Sequence, residues 1–183
     1  MKPAGAPIWA DTLTRAVTDR NSDWRVPQLA TISPDGYPNV RSVVLRACLW
    51  DNGLYVEVHS HRQTQKIRDI QSNACVSLVF WSPQTEQQLR LWGFAEVSMN
   101  SARARASWDA ISPSSRALYA VSGKPGQPVS TQSRYCVDYD GFALITVKVT
   151  RTDYLDLNQR PHFRETAEWC DTPESWTSQR IYP

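Results

Sequence analysis

Residues 40–58 read VRSVVLRACLW, then DNG, then LYVEV, and this stretch decides the kind of fold. Val40 to Trp50 is dense in β-branched and large apolar residues, which suit a pleated, half-buried surface. Asp51-Asn52-Gly53 supplies the left-handed positions of a tight reversal, and Leu54 to Val58 resumes the alternation, so a β-hairpin is predicted. Upstream, Val26 to Ser33 ends in Ser33-Pro34-Asp35-Gly36, where proline presets its φ and glycine accepts a positive one. Two hairpins in succession predict an antiparallel meander.

Further along, Ile67 and Ile70 sit three apart among polar neighbours, so Gln63 to Gln71 reads as a short helix closed by Asn73. Ala74 to Trp81 (ACVSLVFW) reads as a central strand and Gln87 to Met99 as an alternating one. Residues 101–121 suit two short helices interrupted at Ser112-Pro113, because proline disfavours helix in the residue before it. Gly123 to Ser133 is a long Pro/Gly/Ser-rich loop. Phe142 to Thr150 gives a sixth strand, Asp153 to Leu157 a seventh and Ser175 to Ile181 a short last one. The expected architecture is mainly β, a closed or nearly closed antiparallel barrel with a few short peripheral helices. No glycine-rich dinucleotide or P-loop signature is present, which weighs against nicotinamide enzymes of the doubly wound class and nucleotide hydrolases.

The 183 residues suit one domain spanning 1–183, with residues 1–22 as an arm that carries an amphipathic helix over Ile8 to Arg20. Twenty basic against eighteen acidic residues leave +2, too even for attraction of nucleic acid by the whole surface, so any anion site is local. No apolar run approaches the roughly 20 residues of a membrane span. The N-terminus, MKPAGAPIWADTLTR, lacks a signal-peptide core, so a cytoplasmic protein with no membrane partner is expected. Cys48, Cys75, Cys136 and Cys170 form no CxxC pair and read as reduced thiols. Eight Trp and seven Tyr offer flat side chains for a core, a subunit contact or a planar ligand.

Three clusters carry candidate chemistry. Arg41 and Arg46 flank Ser42-Val43-Val44-Leu45 inside an apolar strand, where an unpaired guanidinium costs several kcal/mol, so an anion should compensate at least one. Five residues apart, they point to opposite faces of an undistorted strand. The second cluster, His59-Ser60-His61-Arg62-Gln63-Thr64-Gln65-Lys66, lies at a strand-to-helix junction, where free backbone N–H groups, a hydroxyl and a lysine make a phosphate cradle. The third, Arg160-Pro161-His162-Phe163-Arg164, puts basic residues at every second position, on one face if the segment is extended. Each also has a plain reading: edge residues in solvent or ion pairs, an N-cap beside a surface lysine, and a basic edge that discourages strand pairing. His59, His61 and His162 lack carboxylates at matching spacing, and no metal site is assigned. Neither GxSxG nor HExxH appears.

Taken in order, these clusters resemble the pyridoxamine 5'-phosphate oxidase family of FMN-binding split barrels, above all its smaller oxidase-like members of undefined substrate. The likeness runs from about residue 25 to the C-terminus. Arg41 to Arg46 matches the family's R-x-V-x-L-K/R strand beneath the flavin, whose first arginine binds the FMN phosphate. His59 to Lys66 is similar to Y-T-N-x-x-S-R-K, with Ser60 for threonine, Lys66 retained and Gln65 where an arginine would stand. Gln87 to Gly93 resembles R-Q-V-x-V-x-G and makes Gln88 the residue that reaches the isoalloxazine ring. Against the family's W…R-L-H-D-R segment, Tyr154 stands for the tryptophan, Arg160 and His162 for the substrate pair, and Arg164 for the flavin arginine. Trp176…Arg180-Ile181-Tyr182-Pro183 is similar to its W…R-L-x-P terminus.

The resemblance implies a homodimer holding FMN at the subunit interface, a small-molecule substrate and hydride transfer between substrate and flavin N5. The cofactor residues it implies are Arg41, Ser42, Val43, Val44, Leu45, Arg46, His59, Ser60, Gln65, Lys66, Gln88, Tyr154 and Arg164. The substrate residues it implies are Arg46, Trp108, Ser112, Arg116, Arg160 and His162. Trp108, Ser112 and Arg116 replace a Tyr, Arg and Ser that bind the substrate phosphate in the vitamin-metabolising oxidase, so the arginine is displaced by one helical turn. Two other readings stay open: a flavin- or F420-type reductase, and a non-catalytic flavin- or haem-binding protein with a histidine ligand. A single-strand nucleic-acid binder is disfavoured by the even charge.

Overall fold

The structure is a computed structural model, which describes residues 6–119, 125, 126, 128, 138–172 and 174–183. Most of the loop expected over 123–133, and Cys136, lie outside those residues. Helix α1 (Ala10–Ala16) occupies the centre of the predicted arm and buries Ala10, Leu13 and Ala16. Strands β1 (Gln28–Ile32) and β2 (Pro38–Ser42) form the first hairpin, and β3 (Leu45–Trp50) and β4 (Leu54–His61) the second. Asn52 and Gly53 both take positive φ in the turn between β3 and β4, as the Asp-Asn-Gly signature requires. Helix α2 (Gln65–Ser72) follows, then β5 (Cys75–Ser82) and β6 (Gln87–Ser98). Helices α3 (Ala102–Asp109) and α4 (Pro113–Arg116) meet at Ser112, which caps α4 by accepting from the Ser115 N–H.

The expected sixth and seventh strands are one 15-residue strand, β7 (Phe142–Asp156). Its first half pairs with β4, its second with β8 (Phe163–Asp171), and β6 runs along both. Strand β8 was not foreseen, because FRETAEWCD lacks the alternation that marks a half-buried strand. It pairs with β9 (Glu174–Arg180).

The sheet order β2-β1-β5-β6-β7-β4-β3 places β2 and β3 at opposite ends of one curled antiparallel sheet, with β8 and β9 added beside β7. The run Val40 to Trp50 is therefore not one strand. It breaks after Ser42, and the link through Val43 and Val44 joins the two ends covalently, without ladder hydrogen bonds between β2 and β3. That is the split of a split barrel. Inside it, Leu29, Leu45, Leu54, Phe80, Leu89 and Leu91 are fully buried. The register also shifts between Leu45 and Ala47, so Arg46 is the extra residue of a β-bulge, a device that re-aims a side chain.

Candidate functional site

Arg41 faces inward from β2, in the same cross-strand row as buried Leu29, Leu78 and Leu91, and its guanidinium emerges against α2. Its Nη1 donates to the Leu29 carbonyl at 3.2 Å and to Thr31 Oγ1 at 2.7 Å, and Nη2 lies 3.5 Å from Asp69 Oδ2. Lys66, in the first turn of α2, donates to Ser60 Oγ at 3.2 Å and Thr64 Oγ1 at 3.4 Å. Burial, and then the charge of Arg41, pull the Lys66 ammonium below its ordinary range. Among the described residues Lys66 has no carboxylate partner. Two cations from segments far apart in sequence thus converge beside two hydroxyls at a helix start, an arrangement whose chemistry suits a dianion. Gln65, at the family's arginine position, donates to Asp69 Oδ1 at 2.8 Å and accepts from Arg68.

A second group gathers on the outer face of β4 and β7 under α3 and α4. Phe142 is ringed by Trp108, Tyr119, Tyr139 and His59 at centroid distances of 4.9–6.1 Å. The bulge turns Arg46 into this group, where it meets the Tyr119 hydroxyl and its charge acts on His59. Arg116 lies over the Trp108 ring at 5.2 Å. Among the described residues, Arg46 Nε, Arg116 Nε and His59 Nδ1 are buried there without a hydrogen-bond partner. Ser112 is exposed and occupied as the α4 cap.

Of the remaining candidates, Gln88 and Arg164 lie on the outer face of the other half of the sheet. Trp81, Gln88, Leu155 and Arg164 form one cross-strand row. Arg164 grips buried Asp153 through Nε at 3.1 Å and Nη2 at 2.9 Å, and Arg90 shares the same carboxylate. Arg160 and His162 do not continue the row with Arg164. They occupy the loop before β8, where Arg160 Nη1 contacts His162 Nδ1 at 3.1 Å. Tyr154 departs from its expected position: it points into the barrel, 3% exposed, with its hydroxyl toward Asp156. A ring so enclosed packs the core and has no free face for stacking. Val43 and Leu45 are likewise buried, whereas Ser42 is exposed.

Residues 6–99, just over half of the chain, match the family described as pyridoxamine 5'-phosphate oxidase, FMN-binding domain. The chain belongs to this family. Among curated members of this oxidase family, pyridoxine/pyridoxamine 5'-phosphate oxidase 2 of Arabidopsis thaliana is 29% identical over 177 residues, covering 85% of this chain and 86% of that protein. The crystal structure of a pyridoxamine 5'-phosphate oxidase-related, FMN binding protein from Nostoc punctiforme superposes with a TM-score of 0.81. It is 22% identical, covering 98% of this chain and 99% of that one. PhzG from Burkholderia lata superposes with a TM-score of 0.69 at 17% identity, covering 88% and 83%. These structures share the split-barrel fold.

Thr31, Asn39, Asp69 and Tyr119 join the candidate residues in these two groups without having been singled out from the sequence. A signal for two of them was available: Asn39 shares a face of β2 with Arg41, and Asp69 lies one turn beyond Gln65 on α2. His59 adds a prediction. Burial, then Arg46 and Arg103, lower its imidazole from 6.5 to about 3. Between those values the folded chain binds fewer protons than the unfolded one, so His59 makes stability fall as pH drops from 6.5 toward about 3. In urea titrations across that window, His59→Phe shows a flatter pH dependence than the unsubstituted protein; parallel profiles would contradict it. Among the described residues, no helix is long and apolar enough to cross a membrane.

Proposed function

We propose that the chain is an FMN-dependent oxidoreductase, acting as a homodimer that moves hydride between a small anionic substrate and flavin N5. The observation that carries this reading is the convergence of half-buried Arg41 and Lys66 near Ser60 and Thr64, with no carboxylate on Lys66 among the described residues. Bound FMN would supply a two-electron acceptor, which the side chains of this protein lack. Arg41 and Lys66 would hold its phosphate, with hydrogen bonds from the Ser60 and Thr64 hydroxyls. The Ser42 to Leu45 link would lie beneath the ring.

Two features support a homodimer. Arg41 and Lys66 face the α2 side of the sheet, whereas Gln88 and Arg164 sit on its outer face, so one flavin reaches both sets only if they come from two protomers. That outer face also leaves Val40, Trp81 and Phe94 exposed, an apolar surface fitted to a second copy. Asp153 orients Arg164 for the ring contact. Arg46, Trp108 and Arg116 form the substrate-facing wall, and Tyr119 holds Arg46 in place. Arg160 and His162 lie at the end of β7 remote from Phe142, so they would close that wall from a second protomer.

The test is optical. The freshly isolated protein should be yellow, bleach under an amine or pyridoxine-like reductant without oxygen, and regain its colour in air. A Soret band would replace this reading with haem binding. A colourless protein that takes up no added FMN would contradict it.

A further inference from the structure

We infer that Asp69, a fully buried carboxylate behind the anion cradle, is a positioning residue that aims Arg41 and so sets the preference for FMN over unphosphorylated riboflavin. The inference rests on the flavin reading above.

Asp69 sits on the inner face of α2 with no solvent contact. Its Oδ2 accepts from Thr31 Oγ1 at 2.6 Å and Asn39 Nδ2 at 3.0 Å, and its Oδ1 from Gln65 Nε2 at 2.8 Å. The Arg41 contact, at 3.5 Å, is the longest of the four. The short bonds therefore go to neutral donors, and the carboxylate steers the guanidinium without consuming its charge. Burial alone would raise the Asp69 carboxyl, but the bonds from Thr31, Gln65 and Asn39 and the charge of Arg41 hold it below the usual carboxylate range.

Thr31 is the link between them. Its one proton goes to Asp69, which leaves the oxygen lone pairs to accept from Arg41 Nη1 at 2.7 Å. Arg41 is thereby fixed through the Leu29 carbonyl, Thr31 and Asp69 before any ligand arrives. Without the carboxylate, repulsion from Lys66 would favour other guanidinium positions, and ligand binding would have to restore the geometry. Gln65 contributes to the same arrangement: where the family carries an arginine that would add charge, this chain carries an amide that braces Asp69.

The experiment is titration of flavin-free protein with FMN and with riboflavin, monitored by flavin fluorescence. Asp69→Asn keeps an oxygen for Thr31 and Asn39 and removes the charge. It should weaken FMN binding about tenfold and leave riboflavin within about twofold, so that the ratio of the two constants collapses. A fault in folding would weaken both ligands alike, and that outcome overturns the positioning role. In an Arg41→Ala background, Asp69→Asn should cause no further change in the ratio; an additive loss also overturns it. Should Asp69→Asn fail to fold, Thr31→Val removes the linking hydroxyl while keeping the side-chain shape, and an unchanged ratio there overturns the inference. If the unsubstituted protein binds neither flavin, the flavin reading falls and takes this inference with it. If it binds FMN but the ratio is insensitive to both substitutions, only the inference falls.

Discussion

Replacing Arg41 or Lys66 by alanine is expected to lower FMN affinity by about tenfold or more in each case, because charge-assisted contacts to phosphate contribute roughly 1.5–3 kcal/mol apiece. The two side chains reach the same place from β2 and α2, so neither contact is a by-product of the other's local structure. Their environments differ, which predicts an order. Arg41 is anchored by Leu29, Thr31 and Asp69, so its removal also leaves the buried Asp69 charge without its cationic neighbour, held by Thr31, Asn39 and Gln65. Among the described residues, the hydrogen bonds of Lys66 go to two hydroxyls. Arg41→Ala should therefore lower thermal stability as well as affinity, whereas Lys66→Ala should affect affinity almost alone. Equilibrium dialysis against FMN, with riboflavin as the control, reads the effect. Unchanged FMN retention in both variants would refute the phosphate assignment.

Gly93→Ala should have the largest effect on the fold itself. A β-carbon there would lie 2.0 Å from the Lys148 carbonyl oxygen and 2.9 Å from the carbon that bears it. Lys148 belongs to β7, which is paired with β4 on one side and β6 on the other, so its backbone cannot retreat without breaking a ladder. The register of β6 against β7 shifts between Trp92 and Gly93, and the close approach of the strands occurs at that shift. Overpacking against immobile backbone should cost about 3 kcal/mol or more. Urea denaturation of the flavin-free protein measures it, and a loss below roughly 0.5 kcal/mol would show that the strands separate more easily than their pairing implies.

The split barrel was legible because its signals are local. Alternation over β4, β5 and β6 and the Asp-Asn-Gly and Ser-Pro-Asp-Gly turns each act within a few residues. The break at Val43 and Val44 was not legible, since an unbroken apolar run carries no mark where the chain leaves one end of the sheet for the other. The bulge at Arg46 escaped for the same reason, although Arg41 and Arg46 face opposite sides of the sheet as their five-residue spacing predicts. Strand β8 was hidden because Arg164, Glu165, Thr166 and Glu168 are polar on both faces, the inward one included.

The motif order singled out Arg41, Lys66, Gln88 and Arg164 as candidates; in the structure the first two lie beside α2 and the last two share one cross-strand row. Tyr154 shows the limit of such transfer. The position aligned with a tryptophan, but whether a residue on β7 faces core or solvent follows from strand phase, and Tyr154 falls on the inward phase. Asp69 escaped because its importance arises from Thr31 and Asn39 across the fold, a contact that no local pattern encodes.

The most direct test of the central claim is sedimentation of the freshly isolated protein, followed at the visible absorbance of the flavin. All of the colour should travel in one boundary at twice the 20.8 kDa chain mass, and Arg41→Ala combined with Lys66→Ala should leave that boundary colourless. Flavin sedimenting with a stable single chain would contradict it, and so would colour retained by the double variant.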